Sequence, residues 1–585
     1  MNSIRNLLLL IFTCANVYGL AQNTDQVKKK GPADEYARSS ISYLLLDFEN
    51  EKYSGLLNRA INTTMVPSKF DNNELTKKTL KAPYYHVPGG LLTAPNGEKI
   101  RQALVADQYA LDVVKYWWKI KNDGSYSTSL IEKRGEYNAT DEVVSTVDAT
   151  KVGRARLGDL GLKLIGNSYV LVIDFAEVKS IDDVYDEQDA AARAVAEKQK
   201  TEFVAVKRIK NGFQGNLAAY LYKINYPDTV QGYFDASFID EKRIDLNKLY
   251  KIFDQVYSPV ILVSTQTAKI EASQPNPGEF LAPTVQQSPD QMMVKLVNDG
   301  ILKSLDKFET KLEAFRVKTP VTNIDPIRAK IGRKESLKHE KRYFVWQYVE
   351  SGSGAVVPKR KGVIRAQKVV DNQNDELGNT QESSFYQVGG GKISTGMTLQ
   401  ERKDLGIGLS AGYGSIGFAA RADINVGQWA DLPVRQLKLY GELIAGGKKF
   451  TDVRIPGTVT STTMYNDINY SQTKFAIGLL KEFQVTRNFI GGGHIGWTME
   501  TITWDDADAN EQLSASGFNW GLRAGMNILV PGLQVIGSIN GHGYGEATYK
   551  SGVEGAEDVP TGAKWADIFP EKSSVSFDLS LRLSF

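Results

Sequence analysis

Ser573-Ser-Val-Ser-Phe-Asp-Leu-Ser-Leu-Arg-Leu-Ser-Phe585 alternates apolar and polar residues without a break and ends on an aromatic side chain. Successive side chains of a strand point to opposite faces. Val575, Phe577, Leu579, Leu581, Leu583 and Phe585 therefore share one face, and Ser574, Ser576, Asp578, Ser580, Arg582 and Ser584 share the other. A wholly apolar face backed by one that carries Asp578 and Arg582 fits neither the core strand of a sandwich nor a surface helix. It fits a strand with hydrocarbon outside and a polar lumen inside.

Read backward from that strand, the chain from Leu405 onward divides into eight alternating segments. Their apolar sets run Leu405 to Tyr413, Phe418 to Val426, Leu437 to Ala445, Phe475 to Phe483, Phe489 to Met499, Phe518 to Ile528, Leu533 to Ile539, and the terminal strand. The opposite parity is small or polar, as a narrow barrel interior requires. It holds Arg421, Asp423, Lys438, Glu442, Lys474, Glu482, Arg523, Asp578 and Arg582. An ion or proton path is one reading of these nine. A salt-bridged plug is the favoured one, because eight strands enclose little more than their own side chains. Connection lengths give an independent check: 428–433, 484–487 and 531–532 are short, whereas 448–469, 505–514 and 550–571 are long and polar. That asymmetry puts the short turns and the preceding soluble chain on one side of the membrane. The connection near Gly414-Ser415 is the exception, being short on the side of the long loops.

On strand pattern, aromatic placement and the final phenylalanine, the last third of the chain resembles the small eight-stranded outer-membrane barrels of Gram-negative bacteria, of the OmpA-like and OmpX-like kind. The resemblance implies outer-membrane lipid as surroundings. It also implies recognition of Leu579, Leu581, Leu583 and Phe585 by the barrel-assembly machinery. In OmpA-like proteins a peptidoglycan-binding domain follows the barrel; here all soluble material precedes it, so that activity does not carry over.

The rest of the chain is long enough for further domains, since 585 residues exceed a single-domain length. Arg5, the apolar run Leu7 to Phe12 and Gly19-Leu20-Ala21 read as a secretory signal, residues 1–21, cleaved after Ala21. Cys14 is the single cysteine, so the mature chain is expected to carry no disulfide or thiol chemistry. Residues 22–326 read as a periplasmic α/β domain. Helices are expected over 100–120, 150–164, 186–200, 244–253 and 291–315, a buried strand over 169–175 and a further strand over 260–270. Phe203 to Ile209 and Leu217 to Ile224 read as paired strands around Asn211-Gly212. Residues 327–402 read as a small all-β module. Its phrases Ile331-Gly-Arg-Lys-Glu-Ser-Leu-Lys338 and Lys392-Ile-Ser-Thr-Gly-Met-Thr-Leu399 resemble those of SH3-like modules of envelope proteins. The expected fold class is thus multidomain: an N-terminal α/β domain, a small all-β module, and an eight-stranded antiparallel transmembrane barrel over 403–585.

Composition excludes several functions. With 70 Lys and Arg against 68 Asp and Glu, the net charge of +2 offers no basic face for nucleic acid. A mean hydropathy of −0.30 excludes a helical multispan protein but not a barrel, whose strands alternate. His494 and His542 fall on the lumen parity. Two histidines on non-neighbouring strands without a third ligand make a lumen hydrogen-bonding role far the commoner outcome than a metal site. Gly153, Gly158 and Gly161 lack the strand-first order and the Gly-Lys-Ser/Thr ending of a nucleotide loop. Trp117-Trp118 is expected in a helix core rather than on a binding platform. No catalytic residue, cofactor or metal is expected. The functional expectation is a non-enzymatic scaffold or assembly factor of the envelope, with periplasmic or outer-membrane protein partners. The alternatives are an adhesin or ligand binder acting through loops 448–469 and 550–571, and a periplasmic enzyme tethered by the barrel.

Overall fold

The structure, a computed structural model, describes residues 39–49, 51–73, 75–86, 96–135, 162, 165–240, 243–256, 259–280, 282–350, 356–372, 381–402, 404–456, 462–464, 468–505, 511–528, 532–550 and 558–585. The expected signal segment 1–21 and most of the expected helix 150–164, with its glycines, lie outside the described residues.

The N-terminal domain is a mixed sheet between two helical layers. Strands β1 (Ser40–Asp47) and β2 (Ser168–Ser180) pair in parallel, and β3 (Lys210–Ile224) and β4 (Val260–Pro275) follow antiparallel. The apolar run on β2 reads continuously because both of its faces are covered. Val170 and Val172 join Ile100, Leu104, Val114 and Trp117 on one side. Leu171, Ile173 and Phe175 meet Met293, Leu296, Ile301 and Phe308 on the other. Helix α1 (Ser54–Thr63) and the long helix α5 (Pro289–Lys311) cover that second face. A capping box between Ser288 and Gln291, with Pro289 in the first turn, fixes where α5 starts. Between them in the chain, α4 (Ile181–Gln199) begins on the same kind of box, Ser180 with Asp183.

Two expectations for this domain are corrected. The helix read over 100–120 is two helices, α2 (Gly97–Ala106) and α3 (Tyr109–Trp117), separated by Gln108 at φ 54°, a left-handed residue that no continuous helix accepts. The expected hairpin around Asn211-Gly212 does not form: residues 201–209 are in no strand, and Asn211-Gly212 lies inside β3. Gly212 sits at φ 131°, and a Cβ there would lie 2.1 Å from the Ala272 carbonyl oxygen, so the glycine permits close approach of β4 rather than a turn. Trp117 and Trp118 are buried, Trp118 stacked on Phe234 at 4.0 Å, as core side chains.

The small module is an antiparallel sheet around β5 (Arg342–Glu350), β6 (Val356–Lys368), β7 (Ser383–Gly390) and β8 (Thr398–Glu401). It also takes in Lys318–Pro320, ahead of residue 327, which pairs with β8. Tyr343, Val345, Ile364, Ala366, Phe385 and Leu399 form its core.

The last part of the chain closes into an eight-stranded antiparallel barrel: β9 (Ile407–Gly414), β10 (Phe418–Asn425), β11 (Leu437–Lys449), β12 (Asn469–Gln484), β13 (Phe489–Trp504), β14 (Gln512–Asn527), β15 (Leu533–Tyr544) and β16 (Val575–Ser584). Each strand pairs with the next, and β16 returns to β9 through Gly408 opposite Ser584. An even strand number puts the start of β9 and the end of β16 at the same end, here called proximal. Leu409, Leu443, Phe475, Ile477, Leu479, Trp497, Trp520, Leu522 and Leu579 stand exposed on the outside, while Arg421, Glu442, Lys474 and Glu482 are buried within. The alternation read from the sequence is therefore the real inside and outside. A closed barrel with an apolar exterior and a charged interior is the transmembrane form of the outer-membrane type. No helix among the described residues is long and apolar enough to cross a membrane.

Candidate functional site

The lumen charges fall into separate groups. Arg582 joins Glu482 at 3.0 Å and Asp423 at hydrogen-bond distance, and Glu482 also holds Lys438 and, at 3.4 Å, Arg523. Gly408 makes room for this cluster, because a Cβ there would lie 2.6 Å from both the Arg582 guanidinium and the Asp423 carboxylate. Farther along, Arg421 pairs with Glu442 at 2.6 Å, directly opposite it in register. The remaining two expected lumen residues stand apart: Lys474 donates to His542 Nδ1 over 3.1 Å, and Asp578 accepts from Asn540 at 2.7 Å. His494 packs edge-on to Tyr440 with ring centroids 5.2 Å apart. Among the described residues no group of three metal-ligating side chains occurs. Buried charges of opposite sign at these separations cross-neutralise one another, which a filled lumen requires.

Both ends of the barrel are covered. At the distal end β11 to β14 run beyond the short β9–β10 hairpin, and a further hairpin, Glu546–Lys550 with Val559–Lys564, extends β14. The loop then turns inward through the short helix Trp565–Ile568. Trp565, Ile568 and Phe569 bury against Phe450, Tyr470, Ile502, Trp504 and Leu513. Beneath this apolar cap Lys572 pairs with Glu500, both side chains nearly inaccessible.

At the proximal end the small module lies over the mouth and contacts the β10–β11 turn, the β12–β13 turn and the end of β14. Arg365 binds Asp404 at 2.7 Å and Gln428 at 3.1 Å. Glu340 accepts from Asn425 at 3.1 Å, from the Gln436 backbone at 3.2 Å and from Tyr386 at 2.7 Å. Asp431 accepts from the His339 backbone at 2.8 Å and pairs with Arg333 at 3.3 Å. Across the rim, Asn488 accepts from Gly390 N at 3.1 Å and Asn527 donates to the Val388 carbonyl at 2.8 Å. A cavity of about 60 Å³ remains in the seam, lined by Arg342 and Arg365 from the module and by Asp423, Lys438, Glu482 and Arg582 from the lumen. The N-terminal domain continues the stack, with Ser68 Oγ donating to the Lys334 carbonyl over 3.1 Å.

The lumen residues that line the seam cavity are among those read from the sequence; the residues that dock the module are not. Glu500 was within reach, since it continues the lumen parity one residue beyond Met499; Glu340, Arg365 and Asp404 carry no such signal. A second unforeseen cluster lies in the N-terminal domain. His86 bridges Glu51 through Nδ1 at 2.5 Å and the wholly buried Asp174 through Nε2 at 2.7 Å. Tyr84 donates to the other Asp174 oxygen at 2.5 Å, and Phe48 stacks on the imidazole at 3.8 Å. Burial works against the imidazolium, but the bonds to Asp174 and Glu51 outweigh it and raise the pKa to about 9. The group is thus a charged clamp on residues 84–86, with both ring nitrogens engaged.

No protein-family model matches the chain, and no curated protein matches it. Among solved structures it is similar to a major outer membrane protein from Thermus thermophilus, at 13% identity over 31% of this chain and 98% of that chain, with a TM-score of 0.22. It is also similar to Ail, the attachment invasion locus protein of Yersinia pestis, at 10% identity over 30% of this chain and 91% of that chain, with a TM-score of 0.16.

Proposed function

We propose that this chain is an outer-membrane anchored scaffold or assembly factor of the cell envelope, non-enzymatic, which works through its N-terminal domain on the periplasmic side. The observation that carries the reading is the docking of the small module across the whole proximal mouth. A barrel filled by paired charges, capped at its distal end and covered at its proximal end has no path to offer a solute; it is a pedestal. The surface it presents is the domain ahead of it, seated through the module against the membrane. Protein partners are the natural ligands of such a surface, and the terminal strand with Leu579, Leu581, Leu583 and Phe585 fits engagement by the barrel-assembly machinery during insertion.

Affinity capture from membranes in mild detergent, run on the full chain and on a form lacking residues 39–315, tests this. The full chain is expected to retain envelope proteins that the truncated form loses. Retention of the same partners by the truncated barrel would sink the reading. So would cleavage of residues 39–402 by protease added to intact cells, because it would place that domain outside.

A further inference from the structure

The turn joining β10 to β11, residues 426–436, sorts its side chains by polarity to an unusual degree. Gln428, Asp431 and Gln436, together with Asn425 at the end of β10, turn toward the module and hold Glu340, Arg365, Arg333, His339 and Tyr386. Trp429, Leu432 and Val434 stay out, 62%, 39% and 37% exposed. Scattered apolar side chains on a surface need no explanation, but three large ones exposed within six residues, on a turn that also holds the module, do.

We infer that this turn is a membrane foot, with Trp429, Leu432 and Val434 inserted among the phospholipid headgroups of the proximal leaflet. Continuity with the barrel's lipid-facing surface identifies the occupant. The Trp429 indole donates to the Leu405 carbonyl over 2.7 Å, which pins the ring beside the last lipid-facing row, where Leu405, Phe483 and Phe489 are 49%, 59% and 50% exposed. On the neighbouring strand Lys481 also lies on the lipid-facing parity, between Leu479 and Phe483, and its ammonium reaches back to the Arg435 carbonyl of the foot. A lysine whose stem follows apolar surface while its charge turns to the polar boundary marks the depth of the interface. Indole favours the same layer, its ring apolar and its N–H bonded.

The consequence reaches the module. Asp431 lies between Trp429 and Leu432, so the residues that enter the headgroups and the residues that hold the module share one short segment. Lipid contact and module docking are coupled through it.

The test uses the full chain in phosphatidylcholine vesicles, with Cys14, the single cysteine, replaced by Ser. A fluorescent label is placed at Leu432→Cys, with Phe483→Cys as a lipid-facing reference and Val357→Cys on the exposed module surface as an aqueous one. Heat-modifiable migration confirms the barrel in each. At Leu432 we expect blue-shifted emission, quenching by a nitroxide carried high on the acyl chain, and loss of the iodide quenching seen at Val357. Iodide quenching at Leu432 equal to that at Val357 overturns the inference. Shielding from both quenchers overturns it too, since a protein would then cover the turn. The coupling is read separately: Trp429→Gln with Leu432→Gln should leave heat-modifiability intact and speed proteolysis of the module, and an unchanged rate refutes the coupling.

Discussion

His86 shows how much one side chain can hold when its charge is shared. Asp174 is wholly buried on β2, and a lone carboxylate there would be costly; the imidazolium makes it tolerable, with Tyr84 taking the second oxygen. The folded pKa of about 9 stands above the ordinary 6.5, so the proton is held more tightly in the folded chain. The stability this contributes is fully present below pH 6.5 and lost as the pH rises through 9. Because the ring lies near the surface, solvent screening reduces the gain to about 1–2 kcal/mol. Unfolding of the N-terminal domain, followed by the fluorescence of Trp117 and Trp118 in its core, should therefore show a loss of that size between neutral and strongly alkaline pH. His86→Gln should lack the slope. An equal slope in the variant would assign it to other groups.

At the scale of elements, the barrel strands are legible because hydrocarbon demands an apolar side chain at every second position for eight or more residues, and few other environments do. Leu437, Leu439, Leu443 and Ala445 against Lys438 and Glu442 leave no alternative inside. β3 misled for the opposite reason. With both faces buried it lacks alternation, and Asn211-Gly212 imitates a turn where β4 needs close approach. The seam is illegible on different grounds: Glu340, Arg365 and Asp404 are isolated charges in the sequence and become a set only when the module docks. Asp404 and Arg365 have side chains 1% and 9% accessible, so each depends on the other. Asp404→Asn should leave the Arg365 charge only partly compensated and weaken docking by about 3 kcal/mol, the low end for a broken buried pair. The measurement is limited proteolysis in vesicles: faster cleavage within 318–402, with the barrel still protected, is expected. A module as resistant as the native one would show that the docking does not depend on this pair.

For the whole molecule the question is whether anything passes through it. Eight strands close to a width that their own side chains fill. Here the lumen holds a five-residue charge cluster, the Arg421–Glu442 pair and, above Lys474 and His542, the buried Lys572–Glu500 pair. Each is an electrostatic trap for a permeating ion, and none leaves its partner without a cost of several kcal/mol. The distal cap of Trp565, Ile568 and Phe569 adds an apolar barrier, and the module adds a third closure at the proximal mouth. These barriers are in series, so removing one leaves the other two. The purified chain in a planar bilayer should accordingly show no steady conductance. Deleting the module, or replacing Trp565 and Phe569 by Ala, should still not open it as long as the Glu482 cluster is intact. Sustained, ion-selective current through the native chain would overturn the pedestal reading and make the lumen charges a pathway.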